Sequence, residues 1–140
     1  MRNRIPGATA ALALVLLVGC TSRTSAPSVA TASVTVDGSD AKFNIVNCTQ
    51  VEWYRTIHIG SDFAGATVQV DERREKAIAE SVRIQNVHGF TGMYSQDDGS
   101  EPANISLSGG KFTVSGTAHG SKTDKPAEPA TADFKIIVAC

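Results

Sequence analysis

Asn104-Ile105-Ser106-Leu107-Ser108-Gly109-Gly110-Lys111-Phe112-Thr113-Val114-Ser115 is the stretch that decides the fold class. A short β-prone run over residues 103–107 meets a tight hairpin at Ser108-Gly109-Gly110. Residues 112–118 leave it as a second strand, with Phe112 and Val114 alternating with Thr113 and Ser115. Alternation with a period of two sends successive side chains to opposite faces of a sheet, and glycine accepts the backbone angles of a two-residue turn. Two strands joined this closely must pair antiparallel.

The same punctuation recurs in both directions. Val34-Thr35-Val36 stops at Asp37-Gly38, a strong turn signal. Phe43-Asn44-Ile45 begins a run ending near Cys48, and residues 53–59 form a third, with Trp53, Arg55, Ile57 and Ile59 on one face and Tyr54, Thr56 and His58 on the other. A fourth covers 66–70. Runs over 82–87 and 91–95 flank His88-Gly89-Phe90, followed by a loop at Asp97-Asp98-Gly99-Ser100. The polar segment HGSKTDKPAEP, residues 119–129, reads as a loop before a last strand over 132–139. Residues 71–82, DERREKAIAESV, admit two readings: a short helix, with Ile78 and Val82 four apart, or a charged turn leading into a strand. The second is preferred, in part on the resemblance described below. About eight or nine short strands without long crossover helices predict an all-β domain, a small antiparallel sandwich or half-open barrel.

Ahead of this domain the character changes. Arg2 and Arg4 precede an apolar run over residues 8–18, and Leu17-Val18-Gly19-Cys20 follows. These blocks make residues 1–19 a secretory signal peptide. The run has eleven residues, about half of the roughly 20 that a membrane-spanning helix needs. Its last four residues resemble the bacterial lipobox. That resemblance implies cleavage between Gly19 and Cys20, a diacylglycerol on the Cys20 thiol and an N-acyl (palmitate) chain on the new terminus. The thiol is the nucleophile that takes up the lipid, and Gly19, lacking a side chain, lets the peptidase reach the scissile bond. Each buried methylene contributes about 0.8 kcal/mol, so two or more acyl chains anchor stably where one binds marginally. No other cofactor is expected.

Residues 20–33 are rich in Ser, Thr and Ala and contain no aromatic residue. Such a segment buries too little apolar surface to offset its ordering entropy, which predicts a flexible tether, with hydroxyls that could carry O-linked sugars, ahead of a β domain over 34–140. Cleavage leaves eleven basic residues against fourteen acidic ones, a formal charge of −3. That mild charge, mixed in sign along the chain, excludes an electrostatic case for nucleic-acid binding. Once Cys20 carries lipid, Cys48 and Cys140 are an even pair in an oxidising compartment, and one disulfide is expected between them.

Catalytic chemistry is not indicated. His58, His88 and His119 fall in different β segments without metal-ligand spacing. There is no GxSxG, GxGxxG or GxxxxGK[ST] motif. Asp97-Asp98 lacks the alternating oxygen ligands of a calcium loop, and Asn47-Cys48-Thr49 and Asn104-Ile105-Ser106 are only formal glycosylation sequons.

Taken together, the chain resembles the mycobacterial 19 kDa lipoprotein antigen (LpqH) family. The residues that carry the resemblance are Val34-Thr35-Val36-Asp37-Gly38 leading to Cys48, His58-Ile59-Gly60, and Asn86-Val87-His88-Gly89-Phe90-Thr91-Gly92 with Tyr94. Phe112-Thr113-Val114-Ser115-Gly116-Thr117-Ala118 and Phe134-Lys135-Ile136-Ile137-Val138 ending at Cys140 complete it. The Glu72-Arg73-Arg74-Glu75-Lys76 stretch is more charged than the family's turn. The resemblance implies an envelope-anchored, surface-exposed antigen without catalytic residues. It further implies that the acylated N-terminus is sensed by a host receptor, Toll-like receptor 2. The alternative is an envelope carrier that holds a lipid or other small apolar ligand within the β domain, lined by Phe43, Trp53, Phe63, Phe90, Phe112 and Phe134.

Overall fold

The structure is a computed structural model that describes Gly19 and residues 31–140. Within them run ten strands: β1 (Ala32–Val36), β2 (Ser39–Phe43), β3 (Val46–Val51), β4 (Tyr54–Gly60), β5 (Gly65–Asp71), β6 (Ile78–Val87), β7 (Phe90–Ser95), β8 (Asn104–Ser108), β9 (Lys111–Lys122) and β10 (Lys125–Ala139). A single 3-10 turn, Gln96–Asp98, interrupts them. No helix among the described residues is long and apolar enough to cross a membrane.

All the strand pairs are antiparallel, and nine strands form one path, β2-β1-β10-β9-β7-β6-β5-β4-β3. The two edges of that path, β2 and β3, are consecutive in the chain, separated only by Asn44 and Ile45. A sheet whose outermost strands are joined by two residues must curl until its edges meet, and this one is a nearly closed barrel. Strand β9 carries two partners along one edge: β8 against residues 111–115 and β7 against residues 119–122.

Local chemistry explains the turns. At Asp37-Gly38 both residues have positive φ, 47° and 82°, the mirror-image turn whose twist matches that of paired strands. Alternation explains the core. In β1 the side chains of Ala32, Val34 and Val36 are buried while Ser33 and Thr35 are not. Ile57 and Ile59 of β4, Val68 and Val70 of β5, Val82 and Ile84 of β6, and Phe134, Ile136 and Val138 of β10 join them in one apolar cluster. The expected faces of β4 are the observed ones, with Ile57 and Ile59 inside and His58 outside.

Two expectations need correction. The strand expected to begin at Phe43-Asn44-Ile45 is instead the corner between β2 and β3, where Ile45 is exposed and only its carbonyl is engaged, by the Gly60 amide. The loop expected over residues 119–129 is the outer half of a hairpin between β9 and β10, turning at Thr123-Asp124. Pro126 and Pro129 fall where the register between these strands slips, from Lys125 opposite Lys122 to Ala130 opposite Gly120. Proline has no amide to give a ladder, so an irregularity is where a strand can carry it. Two of the strands, β9 and β10, are accordingly long, at 12 and 15 residues. Of the readings for residues 71–82, the charged turn leading into a strand is the observed one: β6 begins at Ile78. The first strand described begins at Ala32.

Candidate functional site

Cys20 and most of the tether lie outside the described residues, and Gly19 is exposed. What the fold does define is the end of the domain to which that N-terminal segment leads. Ala32 of β1, Val138 of β10, Phe112 of β9 and Leu107 of β8 stand opposite one another in adjacent strands. The segment before Ala32 therefore meets the domain level with the last residues of β10 and with the Gly109-Gly110 turn.

Cys140 lies at this same end and is bonded to Cys48 of β3, with Cα atoms 5.8 Å apart. The expected disulfide is thus present, and it ties the end of β10 to the opposite edge strand of the sheet path. Three residues beyond Cys48, β3 turns through Glu52 and Trp53 into β4. The Glu72 amide donates to the Trp53 carbonyl at 2.8 Å, which packs the β5–β6 connection against this turn.

Two arginines organise the corner. Arg55 donates from Nε to Glu72 at 2.8 Å and from Nη2 to Gln50 at 2.9 Å, and its guanidinium lies 5.4 Å from the centroid of the Phe112 ring. Gln50 in turn donates to Glu72 at 3.0 Å, which closes a triad of Arg55, Gln50 and Glu72. Arg73 forks onto Asp71 and lies over both Trp53 and Tyr54, 5.6 and 5.4 Å from their ring centres. Asp71, the one buried charged residue described, is held ionised below the usual carboxylate range by the Arg73 side chain first and by the Arg73 amide second. Of these groups only Trp53 and Phe112 were singled out from the sequence, and as lining for an apolar ligand rather than as partners of arginine. The alternating charge of residues 71–76 was the available signal, but only the register of β3, β4 and β5 shows which charges meet.

The three histidines stay apart. His58 contacts Thr67, His88 contacts the Asp40 carbonyl and His119 contacts Ser100. Among the described residues, no three His, Cys, Asp or Glu side chains gather in a metal-binding group. Asp98 is a turn-former, accepting from the Ser100 amide at 2.8 Å, and its hydrogen bonds to Ser100 hold its pKa down. The six aromatic residues considered for a ligand pocket divide: Phe90, Phe112 and Phe134 are in the core, while Phe43 is half-buried and Trp53 and Phe63 are exposed. A surface depression of about 440 Å³ beside β4 is lined by polar and apolar groups alike, among them His58, Ile59, Asp62, Ala66, Arg83 and Gln85.

The family model described as Mycobacterium 19 kDa lipoprotein antigen matches residues 25–140. The chain belongs to this family. Within the 19 kDa lipoprotein antigen family it is 57% identical over 141 residues to a putative lipoprotein of Mycobacterium avium subsp. hominissuis, covering all of this chain and 97% of that one. It is 30% identical to the probable lipoprotein LppE of Mycobacterium tuberculosis, over the full length of both. With lipoprotein LpqH of Mycobacterium avium it shares 29% identity over 108 residues, 76% of this chain and 66% of that protein. The chain is thus an envelope-associated lipoprotein of the mycobacterial 19 kDa antigen family.

Proposed function

We propose that this protein is a non-enzymatic surface lipoprotein, anchored through a diacylglyceryl thioether and an N-acyl chain at Cys20, and that a host Toll-like receptor 2 recognises it through that acylated terminus. The observation that carries the reading is Leu17-Val18-Gly19-Cys20, at the end of a charged and then apolar leader, with Cys20 twelve residues before the first strand described, at Ala32. Membership of the antigen family supports it. The β domain then acts as the displayed part, since its histidines and carboxylates serve turns and strand contacts rather than converging on a reacting centre.

The test compares wild-type and Cys20→Ala protein, expressed in a mycobacterium, for detergent partitioning and for activation of reporter cells carrying Toll-like receptor 2. Wild-type protein should partition with detergent and activate the cells, and both properties should vanish in the variant. A variant that still partitions, or still activates, overturns the proposal.

A further inference from the structure

The β3–β4 turn ends in a cluster of side chains that a water-facing turn would not need. Val51 is 72% exposed, and Trp53 and Tyr54 are about 40% exposed with ring centroids 6.0 Å apart. Val51 and Tyr54 are cross-strand partners, so the aliphatic and aromatic groups share the tip of one hairpin. Arg73 lies over both rings while its other side is held by Asp71, which fixes the two aromatic rings in place. On the same end of the barrel, Leu107 of β8 is 58% exposed.

The N-terminal segment reaches the domain at Ala32, level with Val138 of β10 and so near the Cys140–Cys48 bond, which joins β3 three residues before this tip. From Cys20 to Thr31 there are eleven residue steps, which span at most about 40 Å even fully extended. A lipid at Cys20 therefore keeps this end of the barrel close to the bilayer, at a high effective concentration. Tryptophan and tyrosine settle at the headgroup level of membranes, with an apolar ring inward and a polar edge toward water, and arginine and lysine stems extend alongside them.

We infer that the Val51-Trp53-Tyr54 tip is a second, non-covalent membrane contact, which seats the barrel on the lipid surface with its β3–β4 end down. The inference rests on the anchor proposed at Cys20. Its occupant is the headgroup layer of the membrane that holds the protein's own acyl chains. The β6–β7 turn at His88-Gly89 and the β9–β10 turn at Thr123-Asp124, at the other ends of their strands, would then point away from the membrane as the displayed surface. Phe63, although 84% exposed, lies between β4 and β5 at the far end of β4 from Tyr54 and takes no part.

Trp53 is the only tryptophan in the chain, so its fluorescence reports this contact alone. The experiment uses the acylated protein, purified from a mycobacterium and reconstituted into phosphatidylcholine vesicles with and without phosphatidylglycerol, and carrying nitroxide-labelled lipid. Flotation reports anchoring, and quenching of Trp53 by a label at headgroup depth reports seating. Flotation with quenching that is lost in Val51→Asp and kept in Phe63→Asp supports the inference. Both variants are at exposed positions, and retained strand circular dichroism shows that they fold. Flotation without quenching overturns the inference and leaves the anchor standing. Failure to float overturns the anchor, and the inference with it.

Discussion

Cys48, in the middle of β3, and Cys140, one residue past β10, are bonded across 92 residues of chain, and they connect an edge strand of the barrel to its longest strand. Strands β3 and β10 share no ladder; the nine-strand path puts five others between them in one direction and leaves the β2–β3 seam in the other. The bond therefore closes the barrel where hydrogen bonds do not. Loop-closure entropy alone assigns a crosslink of this span about 4.5 kcal/mol, and measured values often fall below that. Replacing both cysteines with serine should lower the melting temperature by on the order of 10–25 °C, read by circular dichroism with and without reductant. A shift below a few degrees would mean that the seam is held by packing alone.

How much of this was legible in the sequence follows from the range of each interaction. The turns at Asp37-Gly38 and Gly109-Gly110 and the inward faces of β1 and β4 depend on neighbours a few residues away, and they read directly. The outer half of the β9–β10 hairpin did not. His119-Gly120-Ser121-Lys122 has loop composition, yet it is paired on one side with β10 and on the other with β7. Tertiary pairing overrides weak strand propensity there. At Asn44-Ile45 the reverse holds, since a β-branched residue occupies a corner because its neighbours belong to opposite edges of the sheet. The Arg55–Glu72 pair was illegible for a third reason: it joins residues 17 apart, brought together by the register of β4 on β5 and the turn after it.

Gly120 is where that misread segment is most constrained. It stands opposite Gly92 in the β7–β9 pair, and a Cβ added to it would come 1.9 Å from the Thr91 carbonyl oxygen. Backbone cannot swing aside as a flexible side chain does. Gly120→Ala should therefore cost about 1–3 kcal/mol and loosen the β7–β9 pairing. Urea unfolding measures the cost, and faster amide exchange at residues 90–93 locates it. Wild-type stability with unchanged exchange would contradict it.

Three carboxylates make the fold sensitive to acid. Asp71 is held below the ordinary range by Arg73, Asp40 by hydrogen bonds from Ser33 and then Lys42, and Asp98 by Ser100. A carboxyl with a lower pKa folded than unfolded stabilises the fold above its unfolded value, near 3.8. That contribution is lost as pH falls through the folded value. Asp71→Asn should melt below wild type at neutral pH, and the two melting temperatures should converge once the pH falls below the folded pKa of Asp71. A gap that persists unchanged at low pH would show that the aspartate acts through packing rather than charge.

Arg55 and Glu72 should behave as a coupled pair and not as a surface ion pair. Their side chains are 24% and 22% exposed, Gln50 bridges them, and the guanidinium rests against the buried ring of Phe112. Exposed pairs contribute about 0–1 kcal/mol because water screens them. Partial burial removes much of that screening and makes an orphaned partner costly, at about 1–3 kcal/mol. Glu72→Gln and Arg55→Met should each destabilise within that range, and the double variant by less than their sum, giving a coupling of about 0.5–2 kcal/mol. The Glu72 amide also donates to the Trp53 carbonyl. Loss of the pair should therefore free the β3–β4 turn, with faster exchange of the Glu72 amide and a red-shifted Trp53 emission in the folded state. Additive stabilities with an unmoved Trp53 spectrum would place Arg55 and Glu72 among ordinary surface charges.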